Sequence, residues 1–346
     1  VFIKIDVGST TVAAHLCDLN TGDVLASSGI MNPQIRYGED LMSRVSYVMM
    51  HPEGAQLMTQ DIRSAINDLF LDLCTQISGD VTDILEIALV ANPVMHHILL
   101  GINPVNLGTA PFVLTTNEAI DIRAVQAGLT AHPEARLYCL PCIAGHVGAD
   151  AAGVILAEAP ERGDAMTLVV DVGTNAEIVL AHKGRMLVCS SPTGPAFEGA
   201  QISSGQRATT GAVERVRIDW DTLEPRFRCI GSELWSDETG FLDAHEASGI
   251  TGICGSGIIE VIAEMYLAGI ISADGVINGA LNSRSDKLIK EGRTRSYVLH
   301  FAYNKDESDI VITQNDVRQI QLAKAAGATR IVTAASPGNV KYLESA

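Results

Sequence analysis

Ile5-Asp6-Val7-Gly8-Ser9-Thr10-Thr11, near the start of the chain, and Val170-Asp171-Val172-Gly173-Thr174-Asn175, in its middle, carry one local pattern. In each, an apolar run (Val1 to Ile5 with one Lys; Thr167 to Val170) leads into Asp, then Gly, then hydroxyl or amide residues, and a second apolar run follows. That pattern predicts a buried strand, a tight turn and a returning strand. Glycine lets backbone N–H groups approach a ligand closely, Ser, Thr and Asn side chains donate hydrogen bonds, and each Asp is placed to orient a metal ion. One Asp-x-Gly-Ser/Thr is a weak signal, because a plain hairpin whose Asp caps its own turn has the same appearance. Two copies, each heading a similar meander, point to a pair of jaws for a polyphosphate. The chain has no Gly-Lys-Ser/Thr of a P-loop and no Gly-x-Gly-x-x-Gly after a strand, which removes the two commonest alternative phosphate cradles.

Composition narrows the class. At 346 residues the chain is long for one core, and two domains of roughly 150–200 residues are the natural expectation. Hydrophobic residues make up 47% and aromatics only 5%, with 31 glycines, as in well-filled aliphatic cores joined by many tight turns. A net charge of −17 argues against nucleic acid or an anionic membrane as partner, since both need clustered Lys and Arg. No apolar stretch approaches the ~20 residues of a membrane span, and no secretory signal is present. Seven scattered cysteines suit a reducing compartment, so the expected location is the cytoplasm. Val1 already lies in the first strand, whereas native chains carry some spare terminal residues; a piece of a larger protein is expected.

Along the chain the layout alternates between strand and helix. Asn20-Thr21-Gly22-Asp23 turns into a third strand, Val24 to Ile30, which Asn32-Pro33 breaks; two helical stretches follow Gly38. In the second of these, Ile62, Ile66, Leu69 and Leu73 share one helix face. Ile84 to Ala91 reads as a strand buried on both faces, Val147 to Ala157 as a small-residue helix, and Pro160 to Asp164 as a linker. The second half then repeats the opening meander, with a Lys183-Gly184 turn into Met186 to Ser190. The expected fold is therefore α/β with two lobes, residues 1–163 and 164–346, whose loops face each other across a cleft.

With these residues in view, the chain resembles the acetate and sugar kinase, heat-shock chaperone and actin superfamily, whose duplicated ribonuclease H-like lobes close on ATP. Longer segments narrow the resemblance to the ATPase domain of reductive activators of corrinoid proteins. They are Asn32-Pro33-Gln34-Ile35-x-Tyr37-Gly38-x-Asp40, Leu140-Pro141-x-Ile143-Ala144-Gly145-x-Val147-Gly148-Ala149-Asp150, Gly194-Pro195-Ala196-Phe197-Glu198-Gly199-Ala200, Gly252-Ile253-Cys254-Gly255-Ser256-Gly257 and Ile312-Thr313-Gln314-x-Asp316-Val317-Arg318. The resemblance spans residues 1 to about 326. It implies a domain, often dimeric, that sits behind a ferredoxin-type [2Fe–2S] module and uses ATP to drive an electron onto cob(II)alamin in a partner corrinoid protein, giving cob(I)alamin. A nucleotide-driven change in the complex supplies the missing driving force; for one electron, about 59 mV is a tenfold change in equilibrium.

The same resemblance carries Asp6, Gly8, Ser9, Thr10 and Thr11 onto the first phosphate loop and Asp171, Gly173, Thr174 and Asn175 onto the second. Asp6 and Asp171 would hold hydrated Mg²⁺ or orient the attacking water. Glu198 and Asp150 are further candidates for that water, set against plain helix-end carboxylates. Gly255 and Ser256 open an apolar helix, Ile258 to Leu267, either as an anion site or as a close-packed cap. Two departures stand out. The plant-type Cys-x4-Cys-x2-Cys spacing is absent, so no iron–sulfur cluster is expected in this chain. The helix from Gln314 to Ala326 runs straight into Gly327-Ala328-Thr329, where the family has a further strand and a Gly-rich adenosine loop.

Weaker features have plainer readings. Cys139 and Cys142 form a single Cys-x-x-Cys read as strand-end cysteines; Asp243-Ala-His245 is read as part of an acidic surface loop, and His96 and His97 as a satisfied pair on a short helix. Two other functions fit the same fold: a small-molecule kinase, with Arg207 as the acceptor-site candidate, and a non-catalytic module whose shape nucleotide sets.

Overall fold

The structure is a computed structural model, and it describes residues 1–199, 201–302, 308–334 and 342–344. The first half runs β1 (Phe2–Val7), β2 (Thr11–Cys17), β3 (Val24–Met31), α1 (Leu41–Met50), α2 (Gly54–Gln76), β4 (Glu86–Ala91), α3 (Pro93–Leu100), β5 (Ile120–Arg123), β6 (Arg136–Cys139) and α4 (Ala149–Glu158). The second half opens with β7 (Thr167–Val172), β8 (Asn175–His182) and β9 (Arg185–Pro192). It continues through β10 (Ala212–Ile218), β11 (Pro225–Cys229), α5 (Phe241–Ala244), β12 (Gly252–Ile253) and α6 (Gly255–Leu267). The last elements are β13 (Leu288–Glu291), β14 (Thr294–His300), β15 (Ile310–Thr313), α7 (Gln314–Ala334) and β16 (Tyr342–Glu344). By contacts the chain divides into one unit of Val1–Asp171, Val179–Ser190 and Lys341–Ala346, and another of Val172–Ile178 and Ser191–Val340.

The first unit is built on a six-stranded sheet in the order β3-β2-β1-β4-β6-β5. β1 is antiparallel to β2 and parallel to β4, so Asp6 stands opposite both Ala13 and Val90 at the sheet's end. Alternation along the strands sends Ile3, Ile5, Val7, Val12, Ala14 and Leu16 into one core. Helical spacing brings Met58, Ile62, Ile66, Leu69 and Leu73 of α2 into the same core. Burying each of these aliphatic side chains contributes about 1.5–3 kcal/mol. β4 departs from the two-sided burial expected of it: Ile87, Leu89 and Ala91 are buried while Glu86 is exposed and Ala88 and Val90 are half-buried. α4 crosses that second face at Gly153, where a Cβ would lie 3.2 Å from Val90 Cγ1. Of the expected linker, Pro160–Arg162 is a short 3-10 turn with Pro160 buried.

The second meander forms a four-stranded sheet ordered β16-β9-β8-β7. The chain after β9 builds two three-stranded sheets, β11-β10-β12 and β13-β14-β15. They share a core of Val213, Val216, Phe227, Val261, Met265, Tyr297 and Ile312 with α6 and α7. Tyr297 is fully buried, and its hydroxyl donates to the Leu223 carbonyl at 2.9 Å. α7 runs to Ala334, past the expected end at Ala326. Among the described residues no helix is long and apolar enough to cross a membrane.

Candidate functional site

The first loop, Gly8 to Thr10, links β1 to β2 and is closed by Gly8 N–H donating to the Thr11 carbonyl at 3.0 Å. Only glycine fits there, because a Cβ on Gly8 would stand 2.7 Å from that same oxygen. Asn32, the first residue after β3, holds the loop from behind: its backbone N–H donates to Thr10 O at 2.9 Å and its side-chain Nδ2 to Gly8 O at 2.7 Å. Asn32 also accepts from Gln34 N at 2.9 Å, which starts the 3-10 turn Pro33–Tyr37. Arg44 of α1 reaches under the loop and donates from Nη2 to the Ser9 carbonyl.

The second loop repeats the device. Gly173 N–H donates to Asn175 O at 3.0 Å, and Thr193, the first residue after β9, donates its backbone N–H to Thr174 O at 3.2 Å. Its hydroxyl reaches Gly173 O at 2.6 Å and Thr174 O at 3.0 Å. Asn32 and Thr193 thus hold equivalent glycine carbonyls in the two motifs. Sequence reasoning takes Asn32 as a strand breaker and as the head of a family segment, assigns it no part in the loop, and overlooks Thr193 and Arg44. The available signal was positional: each pin is the residue on which the third strand of a meander ends.

Three carboxylates of the first unit share one electrostatic environment. Asp6 is solvent-accessible yet closely surrounded by protein. Loss of hydration, then the charges of Asp150 and Asp171, push its pKa up to about 6. Asp150, in the first turn of α4 and half-buried, is likewise raised to about 6, by burial first and by Asp171 further down, against the 2.8 Å bond that its Oδ1 accepts from Ala151 N. Like charges gathered this way accept a cation readily. Among the described residues no group of three or more His, Cys, Asp or Glu is placed to hold a metal ion.

The remaining candidates sit apart from these acids in sequence. Gly255 and Ser256 open α6, where a Cβ on Gly255 would stand 1.9 Å from Phe197 O, so close backbone packing requires this glycine. Ser256 Oγ lies 3.3 Å from Cys254 Sγ. Glu198 ends the 3-10 turn Pro195–Glu198, and its side chain lies outside the described residues. Arg207 is exposed. Cys139 ends β6; it and Cys142 are buried and their thiols are pushed up to about 12, mainly by desolvation, so both stay protonated and inert. The histidines depart from expectation. His97 Nε2 accepts from Thr115 N, but both nitrogens of fully buried His96 lack a hydrogen-bond partner among the described residues, and burial keeps its pKa down at about 4. His245 is buried with its ring 4.7 Å from Phe241, beneath the acidic surface loop rather than on it.

Two family models cover nearly the whole chain: the RACo middle region matches residues 2–161, and the C-terminal domain of RACo, the ASKHA domain, matches residues 165–342. The chain belongs to the RACo family. The first meander therefore falls in the RACo middle region and the second in the RACo ASKHA domain, which is the actin-like fold expected from the paired loops. The corrinoid activation enzyme RamQ of Eubacterium limosum is 32% identical over 330 residues, 94% of this chain and 52% of that protein. The [Co(II) methylated amine-specific corrinoid protein] reductase of Methanosarcina barkeri is 23% identical over 93% of this chain and 65% of its own length. Among solved structures, a reductive activator for corrinoid, iron-sulfur protein superposes with a TM-score of 0.81 at 31% identity, over 99% of this chain and 55% of that one. The chain thus spans about half the length of the first RACo relatives it matches.

Proposed function

We propose that this chain is the ATP-binding and hydrolysing part of a reductive activator of corrinoid proteins. In this reading ATP is coupled to reduction of cob(II)alamin to cob(I)alamin in a partner corrinoid protein, and the electron comes from a ferredoxin-type [2Fe–2S] domain outside these residues. The chain acts as a homodimer of two-lobed protomers, 1–163 and 164–346. The observation that carries the proposal is the pair of equivalent glycine loops, each pinned by the residue after its third strand, in a chain whose RACo relatives are named for corrinoid activation.

Each part of the site has a task. Gly8, Ser9, Thr10 and Thr11 offer backbone N–H groups and hydroxyls to phosphate, and Gly173, Thr174 and Asn175 offer the same kinds of donor. Gly255 and Ser256, at the N-terminus of α6, add donors for the nucleotide. Asp6 and Asp171 would hold Mg²⁺ through its waters, and the ion supplies charge neutralisation on the phosphates. Asp6, Asp171, Glu198 and Asp150 are the candidates to orient the attacking water.

Isothermal titration of the chain with Mg-ATP and a non-hydrolysable analogue, beside Asp6→Ala and Asp171→Ala, tests the site. Saturable binding that weakens in both variants, followed by cobalt(II) reduction once a ferredoxin domain is added, supports the proposal. A folded chain that binds neither ligand overturns it.

A further inference from the structure

Neither phosphate loop contains Lys or Arg. In a chain of net charge −17, with Asp6, Asp150 and Asp171 repelling one another, the loops hold no positive charge of their own for a polyphosphate, beyond what Mg²⁺ would bring. Arg44 is placed to supply it. It is 0% exposed and the largest fully buried side chain in the protein's described part. Its guanidinium donates from Nε to Gly38 O at 2.9 Å, from Nη1 toward Gln34 Oε1 at 3.4 Å and Met95 Sδ at 3.1 Å, and from Nη2 to Ser9 O.

All four partners are neutral. Arg44 enters no ion pair among the described residues. Asp40, the acid whose field reaches it, spends its carboxylate capping α1 at Ser43 N (2.8 Å) and Ser43 Oγ (2.9 Å). Burial lowers the Arg44 pKa to about 10, which still leaves it charged at neutral pH. A buried guanidinium without a counter-ion is costly, and an apolar side chain would fill the same space without that cost. Its charge is poorly screened and acts on the first group it meets, the Ser9–Thr10 peptide. A cation on a carbonyl oxygen polarises the N–H of the same peptide, here that of Thr10 in the phosphate loop.

We propose that Arg44 is a positioning residue whose buried charge, passed through the Ser9 carbonyl, makes the first loop favour ligands in proportion to their phosphate charge. This rests on the nucleotide site proposed above, and it assigns that site's selectivity for tri- over di- and monophosphate to a residue that does not touch the ligand.

The test is titration of ATP, ADP and AMP, each with Mg²⁺, against the wild-type chain, Arg44→Met and Gln34→Glu. The glutamate places a carboxylate where Gln34 Oε1 already meets Nη1, so it neutralises Arg44 while leaving its bond to Ser9. Both variants should weaken ATP by about tenfold or more, ADP by less and AMP least. Folding of each is checked by circular dichroism and thermal melting, and Gln34→Glu decides the matter if Arg44→Met does not fold. Equal loss for all three ligands, or a Gln34→Glu profile like that of the wild type, overturns the proposal and leaves the nucleotide site standing. A folded wild-type chain that binds none of the three brings down the nucleotide reading and this one together.

Discussion

Ile3, Ile5 and Val7 on β1 hold the same places relative to Asp6 that Leu168, Val170 and Val172 on β7 hold relative to Asp171. The first three are 0%, 2% and 0% exposed, and the second three 48%, 42% and 41%. The strand pattern is alike, so the difference lies in what each strand packs against. β1 is the third of six strands and shares a buried core with α2, whose 23 residues follow soon after the meander. β7 stands at the edge of its sheet, and the chain after β9 goes into two small sheets with a core of their own. An apolar alternation therefore specifies a strand and its loop; burial is delivered by elements encoded elsewhere. The loops themselves resist this divergence, because each is pinned by a residue of its own meander.

Stability measurements can break this comparison most sharply. Ile5→Ala should cost about 2–5 kcal/mol, the range for truncating a fully buried aliphatic side chain. Val170→Ala should stay within about 1 kcal/mol, because nearly half of that side chain is already in water. The midpoints of urea unfolding curves give both values. Equal costs would mean that β7 is covered in solution. The next effect in size concerns the pins. Asn32→Ala removes a fully buried donor to Gly8 O and the cap on Gln34 N, for about 1–3 kcal/mol. Thr193→Ala removes a hydroxyl shared between two carbonyls, for about 1 kcal/mol. If the proposed nucleotide site is right, both variants should weaken Mg-ATP binding in titration, since each loosens one of the two glycine loops. If only one does, the two loops are not equivalent in use.

What was legible in the chain was local. The Asp-x-Gly turns, the apolar face of α2 at Ile62, Ile66, Leu69 and Leu73, and the helix opened by Gly255 all follow from spacings of a few residues. The supports of the site were not legible, because their partners are distant: Asn32 reaches Gly8 across 24 residues, Arg44 reaches Ser9 across 35, and Thr193 reaches Gly173 across 20. An arginine four residues after a capping Asp40 looks like any exposed helix residue until the fold places the Ser9 carbonyl beside it. β4 misled for a related reason. Its nearly continuous apolar run, broken at Glu86, suggested two covered faces, and the small residues of α4 lie over the second.

The smallest expected effect is a pH dependence carried by Asp6. The folded pKa of Asp6, about 6, lies above its ordinary value of 3.8. Asp6 thus binds its proton more tightly in the folded state. Its stabilising contribution is fully present below pH 3.8 and is lost as pH rises through about 6, where the ionised carboxylate has lost part of its hydration and feels the charges of Asp150 and Asp171. Asp6→Asn removes that dependence. The Tm of the variant minus that of the wild type should be smallest near pH 4 and should grow to a plateau above pH 6. A gain of about a degree or two is the scale to look for, since solvent still reaches the carboxyl. Asp150→Asn should behave in the same direction, because its pKa is raised to about the same value by the same causes. A difference that stays flat from pH 4 to 7 would show that the carboxylates do not repel one another in the apo chain, and the electrostatic case for a cation between them would go with it. If Mg²⁺ with ATP flattens the wild-type profile but leaves that of Asp6→Asn unchanged, the same charges are the ones that the bound nucleotide complex satisfies.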